Sequence, residues 1–151
     1  MLRADEAGIA AIEMDGQHTW PNTPDIMGWN VDPQGLGVIF DRAIPPFVKE
    51  HITPAIAGIL GRAKLGLGDI DRFARHPGGS RVLTAIERAL SLEQGALDHE
   101  RTVLADYGNM SAPSALFVLE RLIQSGLPAR TLLTAMGPGF TTSCVALKRA
   151  S

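Results

Sequence analysis

The chain has 151 residues, of which 45% are hydrophobic and 20% charged, and its formal net charge is −2 at pH 7. This length allows one domain with its own core, and the balanced charge favours neither nucleic acid nor an anionic membrane surface as a partner. The single cysteine cannot form a disulfide within the chain, and no apolar run reaches the ~20 residues of a membrane-spanning helix. The first residues lack the apolar stretch of a signal peptide, so we expect a cytoplasmic protein.

Six segments have the pattern of β-strands, because apolar residues alternate or form short runs that end at turn residues. These segments are 8–20, 27–31, 35–40, 72–75, 131–136 and 140–147. The sequence Gly137-Pro138-Gly139 predicts a tight turn between the last two strands.

Four segments have helical periodicity: 47–64, 81–90, 97–106, and a last one that begins after Ser111 and ends at Gly126. Pro54 lies inside the first helix and predicts a kink or a break there, and Ser80 and Ser111 are the expected N-caps of the second and fourth. The last helix carries apolar residues at helical spacing, Leu116, Leu119, Leu122 and Ile123. This order of elements predicts an α/β fold in which helices pack on a mixed sheet.

Two polar segments lie where a strand or a loop gives way to a helix. His76 ends a predicted strand and is followed by Pro77 and by Gly78 and Gly79, which leave room for a close approach by a ligand. Asn109 precedes the last predicted helix. Taken alone, His76 could be a structural histidine and Asn109 a turn residue.

Three motifs in this order carry a family resemblance. The segments His76-Pro77-Gly78-Gly79, Tyr107-Gly108-Asn109-Met110-Ser111 and Met136-Gly137-Pro138-Gly139 resemble the C-terminal half of type III polyketide synthases, the chalcone and stilbene synthase family. The resemblance extends from about Gly8 to Leu147, so residues 1–151 are expected to form one chalcone/stilbene synthase C-terminal-like domain. It implies a thiolase-like α/β fold, of which this chain would be one half.

The resemblance also implies an acyltransferase activity. The family joins malonyl-CoA to a starter acyl group by decarboxylative Claisen condensation, with the acyl group held on a cysteine. His76 and Asn109 are the implied catalytic residues, since neutral N–H donors stabilise the enolate and the oxyanion that form. His76 would also pair with the cysteine thiolate. The implied partners are malonyl-CoA, a starter acyl-CoA and a second copy of the whole enzyme, with no cofactor and no metal.

Seven further residues are expected by resemblance to bind substrate: Ser111, Leu36, Val38, Gly137, Pro138, Gly78 and Gly79. Val38 stands where the family commonly has Phe, which suggests a roomier cavity without the usual aromatic gate. Arg75 replaces the small or apolar residue that usually precedes the histidine. It is expected either to point away from the site or to perturb it.

The family's nucleophilic cysteine belongs to the N-terminal half, which residues 1–151 do not include. Cys144 lies in the last predicted strand and is expected to be a small core residue. The isolated chain is therefore expected to be inactive and to expose apolar surface where the other half would pack.

Two alternatives stay open. One is half of a ketoacyl-(acyl carrier protein) synthase of the third kind, which shares the fold and a His/Asn pair, although the segment Pro77-Gly78-Gly79 favours the polyketide synthase. The other is a non-catalytic remnant or a partner-binding half.

Overall fold

A computed structural model describes residues 8–150 of the chain. The strands are β1 (Ala10–Thr19), β2 (Met27–Asp32), β3 (Gly35–Phe40), β4 (Arg72–Arg75), β5 (Arg130–Gly137) and β6 (Thr141–Arg149). The helices are α1 (Ile44–Gly61), α2 (Ser80–Ala89), α3 (Asp98–Tyr107) and α4 (Pro113–Gln124). All ten predicted elements are confirmed, with ends shifted by a few residues. The N-terminal residues on which the signal-peptide prediction rests lie outside the described range.

Four strands form a mixed sheet in the order β1-β6-β5-β4. The β4 and β5 strands are parallel, whereas β5 with β6 and β6 with β1 are antiparallel. The β2 and β3 strands form a separate antiparallel hairpin. The predicted mixed sheet is therefore confirmed.

Helices cover both faces of the sheet. Neighbouring residues of a strand point to opposite faces, and in β4 the buried Phe73 joins the apolar cluster of α1, whereas Ala74 joins that of α4. Burial on both faces explains why β4 buries consecutive residues, whereas β6 buries alternate ones.

Helix α1 packs closely on the sheet. Its buried residues recur at helical spacing, for example Val48, Ile52, Ile56 and Ile59. A methyl group at Gly16 of β1 would lie 2.8 Å from Cγ2 of Ile59, so this glycine allows the close contact.

Pro54 does not break α1, which runs without interruption from Ile44 to Gly61. The predicted break is absent, which fits the place of Pro54 on the exposed side of the helix, and the alternative of a kink stays a prediction. The carbonyl of Glu50, which loses its helical N–H partner at Pro54, is on that side too and water can hydrate it.

The predicted N-caps are also wrong. Helix α2 begins at Ser80 itself, after an N-cap at Gly79 with no side-chain hydrogen bond. Helix α4 begins at Pro113, after Ala112. Ser111 has a left-handed φ of 63° and its N–H is held by Oδ1 of Asn109 at 2.8 Å, so it belongs to the preceding turn rather than to the helix end.

The apolar face of α4 differs from the predicted one. Leu122 is buried, but Leu116 and Ile123 are 61% and 39% exposed. The buried residues are Ser114, Ala115, Val118 and Leu122, and the predicted Leu119 packs partly buried against the same apolar cluster.

Much apolar surface is exposed, as expected of the isolated chain. The β2–β3 hairpin alone exposes five large side chains, Trp29, Val31, Leu36, Val38 and Phe40. None of the helices within residues 8–150 is both long and apolar enough to cross a membrane.

Candidate active site

A pocket of about 560 Å³ lies between four parts of the chain. They are the β2–β3 hairpin, the end of β4, the turn between α3 and α4, and the ends of β5 and β6 with the turn that joins them. Its walls contain both candidate catalytic residues, His76 and Asn109. The other lining residues are Met27, Trp29, Val38, Phe40, Met110, Ser111, Ala112, Ala135, Met136, Gly137, Pro138, Thr141 and Ser143. None of them is a Lys, Arg, Asp or Glu, so the pocket is uncharged apart from any protonation of His76.

The end of β4 holds His76 in place. The backbone N–H of His76 donates to the carbonyl of Thr134 on β5 at 2.9 Å. One residue earlier, the N–H of Arg75 donates to Oε1 of the buried Glu100 at 3.0 Å, and Oε2 of Glu100 accepts from Nη2 of Arg72 at 3.0 Å. The Glu100 carboxylate on α3 therefore fixes the strand end that presents His76.

The imidazole of His76 is held neutral. Burial lowers its pKa below 6.5, and the positive charge of the neighbouring Arg75 lowers it further. Its Nδ1 atom is buried and has no hydrogen-bond partner among the described residues. A neutral imidazole donates from one nitrogen and accepts at the other, so His76 can offer one N–H to a ligand.

Asn109 is oriented by two hydrogen bonds. Its Nδ2 donates to the carbonyl of Gly78 at 3.2 Å, and its Oδ1 accepts from the N–H of Ser111 at 2.8 Å. The amide has two N–H groups, so one remains for a ligand. Gly108, directly before it, has φ 70° and ψ −164°, a conformation that is essentially restricted to glycine.

Gly78 links the two candidate catalytic residues, although neither it nor Gly79 is among the pocket-lining residues. Its carbonyl holds Asn109, and a methyl group at Gly78 would lie 3.7 Å from Nε2 of His76. A methyl group at Gly79 would meet no atom of the described chain within 4 Å. Their proposed role in substrate binding stays a prediction.

Four of the other predicted substrate-binding residues line the pocket: Val38, Ser111, Gly137 and Pro138. Leu36 does not. It pairs with Val31, two positions beyond the Trp29–Val38 pair towards the hairpin turn, and is 69% exposed. Alternate residues of a strand share a face, so Leu36 lies on the same side of the hairpin as Val38 but beyond the pocket.

Aromatic side chains do line the pocket, although Val38 suggested that the usual gate is missing. Phe40 and Trp29 come from the same face of the hairpin as Val38. Sequence reasoning missed them, together with Met27, Met110 and Met136. Residues 27 and 29 lie two apart in one strand, and residues 38 and 40 lie two apart in the other. Once the hairpin register is known, this spacing places all four side chains on one face.

Thr23 joins the hairpin to the β5–β6 turn and was not singled out from the sequence. It is buried, and its Oγ1 lies 2.7 Å from the carbonyl of Trp20 and 3.1 Å from that of Gly139. The N–H of Gly139 also donates to the carbonyl of Met27 at 2.8 Å. These contacts set the position of two pocket walls relative to each other.

Arg75 points into the core rather than away from the protein. It is 1% exposed, and its Nε and Nη1 atoms have no partner among the described residues. Burial lowers the pKa of its guanidinium to about 10, so it remains charged at neutral pH.

Cys144 is buried in β6, which confirms its expected place in the core. Burial raises the pKa of its thiol to about 11, against an opposing effect from the charge of Arg75. A thiol with this pKa is not a nucleophile at neutral pH. Within residues 8–150, no three His, Cys, Asp or Glu side chains come together as a metal-binding group.

Comparison with known proteins shows the family of the chain. The family model for the C-terminal domain of chalcone and stilbene synthases matches residues 11–150. The 1,3,6,8-tetrahydroxynaphthalene synthase of Streptomyces peucetius is 36% identical over 145 residues, which are 94% of this chain and 38% of that protein.

Two solved structures have the same fold. The C-terminal type III polyketide synthase domain of Steely1 from Dictyostelium superposes with a TM-score of 0.87 at 27% identity, covering 99% of this chain and 43% of that one. The 1,3,6,8-tetrahydroxynaphthalene synthase of Streptomyces coelicolor, a bacterial type III polyketide synthase, gives a TM-score of 0.86 at 26% identity, covering 97% and 43%.

The fold is therefore thiolase-like, as in the type III polyketide synthases. The chain belongs to the chalcone and stilbene synthase family and corresponds to its C-terminal domain. It spans about 40% of the length of the relatives that it matches.

Proposed function

We propose that this chain supplies the oxyanion-stabilising half of a type III polyketide synthase active site, which condenses malonyl-CoA with a thioester-bound starter acyl group. The observation that carries the proposal is that His76 and Asn109 line one uncharged pocket and each retains an N–H that no described residue accepts. The relatives named above support the reaction class.

The proposed chemistry needs neutral donors. When the bond between the malonyl carboxylate and its α-carbon breaks, carbon dioxide leaves and the electron pair moves to the thioester oxygen as an enolate. The enolate carbon then attacks the acyl carbonyl, and the thiolate that held the acyl group leaves. Negative charge forms on an oxygen in both steps, and N–H groups held in position beforehand stabilise it without reorganisation.

The surroundings of the pocket suit these roles. Burial and the charge of Arg75 keep His76 neutral, and hydrogen bonds to Gly78 and Ser111 fix the Asn109 amide. Helices α2 and α4 begin a few residues after His76 and Asn109, and the positive end of each helix dipole favours developing negative charge.

The nucleophile must come from outside residues 1–151, because Cys144 is the only cysteine and is buried and protonated. We therefore expect no release of carbon dioxide from malonyl-CoA by the isolated chain above background. An enzyme-like rate that is lost on His76→Ala would contradict this.

The test is to join the chain to a nucleophile-bearing N-terminal half, for example that of the 36% identical naphthalene synthase of Streptomyces peucetius. Asn109→Ala in this fusion should lower malonyl-CoA decarboxylation by roughly 10²–10³-fold, the usual effect of losing one oxyanion donor. His76→Ala should have an effect at least as large.

Asn30→Ala is the matched control, since Asn30 is an exposed amide that does not line the pocket. An active fusion whose rate is unchanged by Asn109→Ala would overturn the oxyanion role. A well-folded fusion with no decarboxylase activity would instead favour a non-catalytic, partner-binding half.

A further inference from the structure

A pocket of about 290 Å³, the β1–α1 pocket, lies between strand β1 and helix α1. The residues that line it are His18, Trp20, His51, Pro54, Ala55, Gly58, Ile59 and Arg62. None of them lines the pocket that contains His76 and Asn109, so this is a separate cavity with its own set of side chains.

The ionisable groups of the β1–α1 pocket are all basic. They are the guanidinium of Arg62 and the imidazoles of His18 and His51, and no carboxylate is among the lining residues. Arg62 is exposed and pairs with no carboxylate among residues 8–150. Glu50 lies 3.9 Å from Nε2 of His51 but does not line the pocket. An acidic ligand would therefore meet Arg62 without displacing a carboxylate of the described chain.

The floor of the β1–α1 pocket is a trough on helix α1. His51, Ala55, Gly58 and Arg62 are spaced four, three and four residues apart. Residues at this spacing share one face of a helix, and the backbone of Arg62 is still helical. A methyl group at Gly58 would meet no atom within 4 Å outside its own part of the helix. Nη1 of Arg62 lies 3.9 Å from the place of a methyl group on Gly16 of β1, so the guanidinium lies at the β1 side of this trough.

Trp20 forms a fixed aromatic wall of the pocket. Its ring lies edge-on to those of His18, Phe47 and Phe140, with centroid distances of 4.7, 5.4 and 5.5 Å. Its backbone is held too, because its N–H donates to the carbonyl of Phe140 at 3.1 Å and its carbonyl accepts from Oγ1 of Thr23 at 2.7 Å. A side chain that is already fixed loses little freedom when a ligand packs on it.

The volume and the lining of the pocket define the chemistry of a ligand. One guanidinium matches one carboxylate, which it can bind through two parallel hydrogen bonds. The apolar floor and the indole suit a flat apolar ring. A volume of about 290 Å³ is close to the lower end of small-molecule sites, roughly 300 Å³, so the pocket fits a molecule with one ring. A polyphosphate would need several fixed cations and would leave the apolar floor unused.

We propose that the β1–α1 pocket binds a small aromatic carboxylate, with the carboxylate on Arg62 and the ring over Ala55 and Gly58 against Trp20. This site is distinct from the candidate active site. The proposal does not rest on the proposed condensation, because neither His76 nor Asn109 lines the pocket.

The test titrates benzoate into the 151-residue chain and follows the fluorescence of Trp20. Every sample carries Trp29→Phe, because the chain has two tryptophans and Trp29 lines the other pocket. Benzoate should change the emission saturably. Benzamide has the ring without the charge, and phosphate has the charge without the ring. Each should bind more weakly than benzoate by about tenfold or more.

Two variants probe the two parts of the site. Arg62→Gln should weaken benzoate binding on the order of tenfold or more, because the charged hydrogen bonds are lost. Gly58→Leu fills the trough and should abolish binding, while helix α1 should persist because leucine favours a helix more than glycine does. Lys64→Gln is the matched control. Lys64 is an exposed cation two residues after Arg62 that does not line the pocket, so its loss should leave binding unchanged.

Circular dichroism checks the fold of every variant. The proposal is overturned if benzoate gives no saturable response, if Lys64→Gln weakens binding as much as Arg62→Gln, or if phosphate binds as tightly as benzoate. Binding that survives Arg62→Gln and Gly58→Leu but is lost on His76→Ala also overturns it, since benzoate would then occupy the candidate active site. Binding that depends on Arg62 and not on His76 supports the proposal whatever the effect of Asn109→Ala on decarboxylation.

Discussion

At the scale of single residues, the side chain of Arg75 is a buried charge next to the candidate site. A buried guanidinium with two unpartnered nitrogens is costly, and it lies next to the residue on which the proposed chemistry depends. Its charge disfavours protonation of His76, so the imidazole stays neutral over a wider pH range. The charge of Arg75 thus acts on His76 in the same direction as burial.

Arg75→Met should raise the pKa of His76 towards 6.5, although burial, the larger cause, should still hold it below that value. NMR titration of the imidazole measures this directly. Arg75→Lys keeps the charge and should keep the low pKa. An unchanged His76 pKa in the Met variant would show that the charge of Arg75 has no effect on protonation of the imidazole.

The lowered pKa of His76 also makes the free energy of unfolding depend on pH. Because the pKa of His76 is lower in the folded state than in the unfolded state, the unfolded state binds the proton more tightly. The contribution of His76 to stability is therefore present above pH 6.5 and is lost as the pH falls through 6.5 towards the lower folded value.

The position of the β2–β3 hairpin decides the shape of the pocket at the scale of elements. The hairpin pairs with no strand of the main sheet, and Thr23 and Gly139 connect it to the β5–β6 turn. The pocket walls formed by Trp29 and Phe40 therefore depend on a few hydrogen bonds rather than on a β-ladder.

Thr23→Val should lower the free energy of unfolding by about 1–3 kcal/mol, because the carbonyls of Trp20 and Gly139 lose their donor in a buried setting. Urea unfolding measures the loss. Thr19→Val is the control: its hydroxyl pairs with Thr141 at the surface, so it should cost no more than about 0.5 kcal/mol. Equal losses in the two variants would argue against a joining role for Thr23.

At the scale of the whole molecule, the main feature is the apolar surface that the described residues expose. The outer pair of the hairpin, Val31 and Leu36, is 74% and 69% exposed, and α4 exposes Leu116. Apolar patches of this kind mark surfaces that pack against another chain or domain. The chain also spans only about 40% of the length of its relatives, so these surfaces are where we expect it to associate.

Val31→Lys with Leu36→Lys should reduce self-association of the isolated chain, because it adds two like charges to the most exposed apolar pair of the hairpin. Sedimentation velocity at several concentrations measures the change. Asn30→Lys places a charge on the opposite face of the same strand and should leave the distribution unchanged. If the two variants behave alike, the hairpin face is not the surface that self-associates.

The local pattern of the sequence was sufficient for the elements but not, by itself, for the two central residues of the candidate site. Periodicity placed all six strands and four helices, because apolar spacing reflects which side of a strand or helix is buried. His76 and Asn109 were predicted as catalytic residues by resemblance to a family, because the pattern alone left His76 open as a structural histidine and Asn109 as a turn residue.

Only the tertiary structure decided which neighbours those residues have. The sequence could not show that Phe40 and Trp29 line the pocket while Leu36 lies beyond it, because that depends on hairpin register and on the Thr23 contacts. Nor could it show that Arg75 is buried, since the direction of its side chain is set by the packing of β4 between two layers of helices. Periodicity is a property of consecutive residues, whereas a pocket is formed by residues from distant segments, and so the sequence determined the elements and the fold determined the site.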